Sequence, residues 1–142
     1  MTGKLFFDTN VVVYAYDDTE PTKQAIARDL LRDAASKQVG TISVQVLGEF
    51  FHATVVRCKL LTCDMATIAI RALSSLEVVG IDATLVEDAI ALHRRCQLRY
   101  WDALILATAR RAGATTVVSE DMSEGQDYDG VRVYNPFRTK SK

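Results

Sequence analysis

The chain reads as a single α/β domain in which a central parallel sheet of about four or five strands is flanked by helices. Three observations lead there. Short apolar or β-branched runs alternate with longer segments of helical period. The 142 residues suffice for one core and not for two, so residues 1–142 form one domain. The composition, 49% hydrophobic and 25% charged, is globular and excludes a disordered chain.

Lys4 to Phe7 is a short buried strand. Asn10 to Tyr16 follows as a short helix or turn, which Asp8 can cap at Thr9-Asn10. Thr22 to Ser36 is a helix, because Ile26, Leu30 and Ala34 recur on one face with charges opposite. Thr41-Ile42 is a short strand, and the Ser43 hydroxyl can cap a helix running from Val44 to Arg57. Another helix covers Asp64 to Ser74, and Glu77 to Ile81 is a strand. Thr84-Leu85-Val86-Glu87 has capping-box spacing and opens a helix ending near Cys96. The helix from Tyr100 to Ala112 stops at Gly113. Thr116 to Ser119 is a strand of β-branched residues, and Val131 to Tyr134 is the last strand.

Several function classes drop out. No apolar run approaches the ~18 residues of a membrane span. Met1-Thr2-Gly3-Lys4 leads into only three apolar residues, too few for a signal peptide, so the expected location is the cytoplasm. Cys58, Cys63 and Cys96 lack the spacing of a disulfide framework or a zinc site and are expected to be buried or partly buried free thiols. A net charge of −1 is not that of a general nucleic-acid binder, although an acidic site would offset a basic rim. The basic residues do cluster: Arg94, Arg95 and Arg99 precede Trp101-Asp102, Arg110-Arg111 follow, and Lys140 and Lys142 end the chain.

Four acids stand in apolar surroundings. Asp8 ends Leu5-Phe6-Phe7, Glu49 lies between Val46-Leu47 and Phe50-Phe51, Asp102 heads Ala103-Leu104-Ile105-Leu106-Ala107, and Asp121 follows Thr116-Val117-Val118-Ser119. Each alone has an ordinary explanation as a cap, a rim residue or a loop acid. Together they fall where an open α/β sheet gathers its ligands, at the carboxyl ends of strands and the first turns of helices. Two unit charges about 4 Å apart repel by about 4 kcal/mol at an effective dielectric of about 20. Gathered carboxylates therefore call for a cation, and oxygen-only ligands suit Mg²⁺ or Mn²⁺. Such an ion can activate water for attack on a phosphodiester.

Phe7-Asp8-Thr9-Asn10, Glu49 on an early helix, Tyr100-Trp101-Asp102-Ala103-Leu104-Ile105 and Ser119-Glu120-Asp121-Met122 occur in an order that resembles the motifs of the PIN-domain family, most closely its VapC-type toxin ribonucleases. Gly125-Gln126, Gly130-Val131-Arg132-Val133 and Asn135-Pro136-Phe137 are similar to the usual ending of those toxins. The resemblance spans Lys4 to Phe137 with no departure at the four acids, while Leu60 to Val79 carries no motif. It implies a Mg²⁺-dependent endoribonuclease in which Mn²⁺ can substitute. Asp8, Glu49, Asp102 and Asp121 would be its acidic quartet. Asp8 and Asp102 would bind the metal directly, and Glu49 and Asp121 directly or through water. Asn10 and Ser119 would hold the acids in place. The resemblance also implies a homodimer, a cognate antitoxin, and structured cellular RNA, transfer or ribosomal, as substrate. Attack by water would leave 5′-phosphate and 3′-hydroxyl ends.

Arg94, Arg95 and Arg99, beside Tyr100-Trp101, are candidate substrate contacts. The same residues also fit a solvated helix face with Trp101 in the core or at a dimer interface. Two other readings stay open: a non-catalytic or phosphoacceptor α/β domain, and a PIN nuclease acting on DNA. A phosphoacceptor domain would want paired acids after the first strand and a Lys near the last. Here Asp8 stands alone and no Lys follows Val118-Ser119.

Overall fold

Strands β1 (Lys4–Phe7), β2 (Gly40–Ser43), β3 (Glu77–Val79), β4 (Ala114–Val118), β5 (Asp127–Tyr128) and β6 (Val131–Tyr134) form one sheet in the order β3-β2-β1-β4-β6-β5. The computed structural model describes residues 3–138, so Lys140 and Lys142 lie outside the described residues. Neighbouring strands are parallel except β5 and β6, which pair antiparallel. The edge strand β5 was not expected from the sequence. Its two residues are too few to show a period, and Asp129-Gly130, both at positive φ, form the tight turn into β6.

The order of connections sets the place of the site. From β1 the chain builds outward through β2 to β3, then returns to place β4 on the other side of β1. The strand order therefore reverses between β1 and β4, and a crevice opens at their carboxyl ends. Asp8 directly follows β1, and Ser119 directly follows β4.

The helices are α1 (Thr9–Tyr14), α2 (Pro21–Ser36), α3 (Val44–Phe51), α4 (Cys63–Leu73), α5 (Ala83–Cys96) and α6 (Tyr100–Arg111). Ser43 caps α3 as expected, its hydroxyl accepting from Val46 N at 3.3 Å. The helix expected from Val44 to Arg57 keeps its length but changes character. From His52 to Arg57 it widens into a π-helical turn, with the Leu60 and Leu61 amides donating to the Thr54 carbonyl at 2.7 and 3.1 Å. The capping box expected at Thr84 is not used. Asp82 caps α5 instead, accepting from Leu85 N at 2.9 Å, and helix begins at Ala83. Asp is as good a cap as Thr, and Asp82 also pairs with Arg111 at 2.9 Å, which ties the start of α5 to the end of α6.

The core lies on both faces of β1 and β4. Phe6, Phe7, Val11, Ile42, Val46, Phe50, Val117 and Val118 are fully buried there. Helix α6 is buried continuously from Ala103 to Ala109. It packs on the main core through Ile105 and Leu106, and on α5 through Leu104 and Ala107. Burying that stretch anchors the first turn of α6, which carries Asp102. The cysteines are free, as expected, but all three are exposed. Cys63 opens α4, Cys96 closes α5 and Cys58 follows the π-helical turn, so none lies inside a packed element. Among the described residues no helix is long and apolar enough to cross a membrane.

Candidate active site

Asp8 is the most buried of the four acids, 7% exposed. It holds an extended backbone between β1 and α1, and its Oδ1 caps α1 by accepting from Thr9 N at 2.7 Å. Its Oδ2 accepts from the Ser119 hydroxyl at 2.8 Å and from Asn10 Nδ2 at 3.3 Å. Burial pushes the Asp8 carboxyl up to about 6, and the negative charges of Asp102 and Glu49 push the same way against the bonds from Ser119 and Thr9. Both acids therefore face Asp8 closely enough for their charges to be felt.

Glu49 projects from α3, half-buried. Its Oε1 accepts from the Thr9 hydroxyl at 2.6 Å, and its Oε2 accepts from Gln45 Nε2 at 3.4 Å. Asp102, in the first turn of α6, accepts from the Arg99 guanidinium at 3.2 Å. Asp102, then Asp121 and Asp8, hold Arg99 more firmly charged than usual. Asp121 is exposed in the loop after β4 and is tied back by Asn10 Nδ2, which donates to its Oδ2 at 3.0 Å.

Asn10 is the hub. Its amide nitrogen lies within bonding distance of Asp8, Ser119 and Asp121, and its Oδ1 accepts from Glu120 N at 3.1 Å. Ser119, fully buried, donates to Asp8 and accepts from Asp121 N at 3.2 Å. Outside this hub, Glu120 accepts from the Tyr14 hydroxyl and from Lys23, each at 2.6 Å, which fastens the loop after β4 to α1 and α2. Thr9, Gln45, Glu120 and Lys23 were not singled out in the sequence. Thr9 had a signal in its place beside Asp8, but the others are polar residues whose role depends on contacts across elements.

All four acids line one cleft of about 630 Å³, together with Asn10, Gln45, Gly48, His52, Arg57, Arg99 and Trp101. Of the three expected arginines only Arg99 reaches it. Arg94 and Arg95 stand near the end of α5, outside the lining, and Arg95 pairs with Asp129. Trp101 is not in the core; it is 54% exposed on the cleft wall. Among the described residues, no three acidic, His or Cys side chains already converge as a ligand cage. Arg99 and Thr9 instead occupy oxygens of Asp102 and Glu49. The donor set nevertheless fits a hard divalent cation in kind, being all oxygen and carrying negative charge that raises the Asp8 pKa.

Gly48 lines the cleft inside α3, and a Cβ there would meet no atom within 4 Å. Glycine in an exposed helix interior is less favourable than alanine by about 1 kcal/mol. Gly48→Ala is expected to raise stability by about that amount in urea unfolding.

Comparison with known proteins agrees with this architecture. The sequence model of the PIN domain matches residues 5–123, a span that includes all four acids. The chain belongs to the PIN-domain family. Its fold is similar to that of a toxin–antitoxin complex from Klebsiella pneumoniae, at 20% identity and a TM-score of 0.70, covering 96% of this chain and 100% of that one. It is also similar to Mycobacterium tuberculosis VapC20, a toxin that cleaves the sarcin–ricin loop, at 24% identity and a TM-score of 0.63, covering 80% and 87%. A third similar structure is VapBC2 from Rickettsia felis bound to a DNA fragment from its promoter, at 20% identity and a TM-score of 0.68, covering 92% and 97%. No curated protein matches the sequence.

Proposed function

We propose that this chain is a Mg²⁺-dependent endoribonuclease, the toxin of a VapBC-type toxin–antitoxin pair, which hydrolyses structured transfer or ribosomal RNA in the cytoplasm. One observation carries the proposal: four carboxylates from β1, α3, α6 and the loop after β4 border a single cleft at the strand reversal. Asp8 and Asp102 would hold the ion, with Glu49 and Asp121 completing its shell directly or through water; Mn²⁺ could take the same place. When bound, the ion supplies a Lewis acid for a non-bridging phosphate oxygen and lowers the pKa of the attacking water. Glu49, held by Thr9 and Gln45, would orient the attacking water and accept its proton. Asn10 and Ser119 fix the rotamers of Asp8 and Asp121, and Arg99 offers positive charge to the substrate phosphate at the cleft mouth. The whole chain would act as one nuclease domain.

The partners follow from the same reading. Two of the similar structures are toxin–antitoxin assemblies, and a third is a toxin that cleaves the sarcin–ricin loop. A homodimer neutralised by a small cognate antitoxin is the corresponding expectation. The test is incubation of the purified chain with transfer RNA, ribosomal RNA fragments and DNA of matched length. Cleavage of RNA that stops in EDTA, returns with Mg²⁺ or Mn²⁺ and leaves 5′-phosphate ends is the expected outcome. Undiminished cutting in chelator, or cutting of DNA alone, overturns the proposal.

A further inference from the structure

Trp101 is the only tryptophan of the chain. Of the large hydrophobic side chains exposed among the described residues, which include Val44, Val56, Met65, Ile68, Ile90 and Tyr134, only Trp101 lines the acidic cleft. It therefore borders the acids in a lining that is part polar and part apolar. An exposed indole keeps an apolar surface in water and is held there by no packing need of its own. Its ring meets Tyr100 edge to face, with centroids 4.9 Å apart and planes inclined by 74°. Tyr100 in turn packs against the cluster of Leu85, Ala89, Leu104 and Ala107. The indole is thus braced from the core without being covered by a parallel ring.

A second observation lies beside it. Gln45 Nε2 is oriented by two acceptors, Glu49 Oε2 at 3.4 Å and the Trp101 carbonyl at 3.5 Å. That orientation leaves Gln45 Oε1 buried with no hydrogen-bond partner among the described residues. Reversing the amide would set its oxygen against two other acceptors, so the orphan is not removed by a flip. Gln45 itself lines the cleft together with Glu49 and Trp101, so its amide ties the Trp101 backbone to the acid-bearing helix α3. The space over Gly48, on the same helix, holds no atom within 4 Å of its Cβ position. Arg99 and Arg57 add positive charge to the cleft lining.

We propose that Trp101 forms a nucleotide subsite beside the carboxylates, in which an unstacked base of single-stranded RNA lies against the Trp101 indole while Gln45 holds the Trp101 carbonyl. Such a subsite holds the scissile phosphate over the acids by gripping its neighbour, and it favours loops, whose bases are free to splay, over duplex. The inference rests on the ribonuclease reading of the site.

The lone tryptophan makes the test direct. The wild-type chain, held in EDTA to prevent cleavage, is titrated with a fluorescently labelled single-stranded hexaribonucleotide and with an abasic ribose-phosphate oligomer of the same charge. Anisotropy reports binding, and Trp101 emission reports stacking. Saturable quenching by the base-bearing RNA alone is expected. In Mg²⁺, Trp101→Ala should raise KM by roughly tenfold to a hundredfold with little change in kcat, and Trp101→Phe should recover most of the loss. No quenching at RNA concentrations that saturate anisotropy, or no RNA binding at all, overturns the subsite. So does a Trp101→Ala chain that changes from dimer to monomer at unaltered KM, which would assign the indole to a protein interface. Efficient RNA cleavage with either of these outcomes leaves the ribonuclease reading standing. A wild-type chain that cuts no RNA in Mg²⁺ removes that reading itself.

Discussion

Asp8→Asn is expected to abolish RNA cleavage and, in metal-free protein at neutral pH, to make the fold more stable. The two effects share one cause. Burial, with the charges of Asp102 and Glu49, raises the Asp8 carboxyl from 3.8 to about 6. A folded-state pKa above the unfolded value means that the native chain binds the proton more tightly. Between those two values the unfolded chain carries fewer protons, so stability falls as pH rises and levels off above about pH 7. A shift of roughly 2 units corresponds to about 3 kcal/mol lost by neutral pH. Asparagine removes that charge while its oxygen can keep the bond from Thr9 N. Its NH₂ would face both Asn10 Nδ2 and Ser119, from which Asp8 Oδ2 now accepts, and losing these two bonds offsets about 2 kcal/mol. A net gain of about 1 kcal/mol is expected above pH 7. Urea unfolding in EDTA from about pH 4 to pH 8 should show the wild type losing stability while the variant stays level. Mg²⁺ should then stabilise the wild type and not the variant. A wild-type profile as flat as that of the variant would show that Asp8 carries no strained charge.

The same energetic anomaly was visible in the sequence, though only in outline. Asp8 could be placed at the end of an apolar strand because Leu5-Phe6-Phe7 has no other reading, and the fold then put Ser119 beside it from the end of the neighbouring strand β4. Local chemistry located what local chemistry controls: the Ser43 cap, the stop of α6 before Gly113, and the alternation that defines a parallel sheet. It misplaced the start of α5 because Asp82 and Thr84 are both good caps, and only the ion pair with Arg111 favours the first. It overlooked β5, although Asp129-Gly130 is a tight-turn signal. Grouping Arg94 and Arg95 with Arg99 rests on their nearness in sequence to Trp101-Asp102. Gln97 is left-handed at φ 55 and ends α5, so Arg99 belongs to the connection into α6 and faces another way. Trp101 was undecidable for a related reason. The seven residues from Ala103 to Ala109 are all buried, and a helix without an exposed stripe there gives no period from which to orient its first turn. Gln45 reaches Trp101, and Glu120 reaches Tyr14 and Lys23, across long stretches of sequence, which no local pattern encodes.

Asn10 tests whether the acids work as a connected set. Its amide nitrogen has two hydrogens for three acceptors, so it bridges Asp8, Ser119 and Asp121 as one shared donor, while its oxygen holds the Glu120 amide. Asn10→Ala removes every one of these ties. The loop after β4 would keep its anchor through Glu120 to Lys23 and Tyr14, but Asp121 would lose the donor that turns it toward the cleft. Outer partners of metal ligands typically contribute about 10- to 100-fold in metal affinity or activity, and a loss of that size is expected here. The Glu120 N–H left unsatisfied and the donor lost to Asp8 should cost about 1–3 kcal/mol of stability. Asn10→Asp separates geometry from charge. It keeps an acceptor for Glu120 N but sets a further carboxylate against Asp8 and Asp121, so it should be the less active of the two variants, and its deficit should shrink as Mg²⁺ is raised. Cleavage rates measured across a Mg²⁺ series should therefore run wild type, Asn10→Ala, Asn10→Asp in falling order at low Mg²⁺. Wild-type activity in Asn10→Asp would mean that charge balance among these acids does not limit the site. Equal loss in both variants at every Mg²⁺ concentration would mean that Asn10 acts through loop geometry alone.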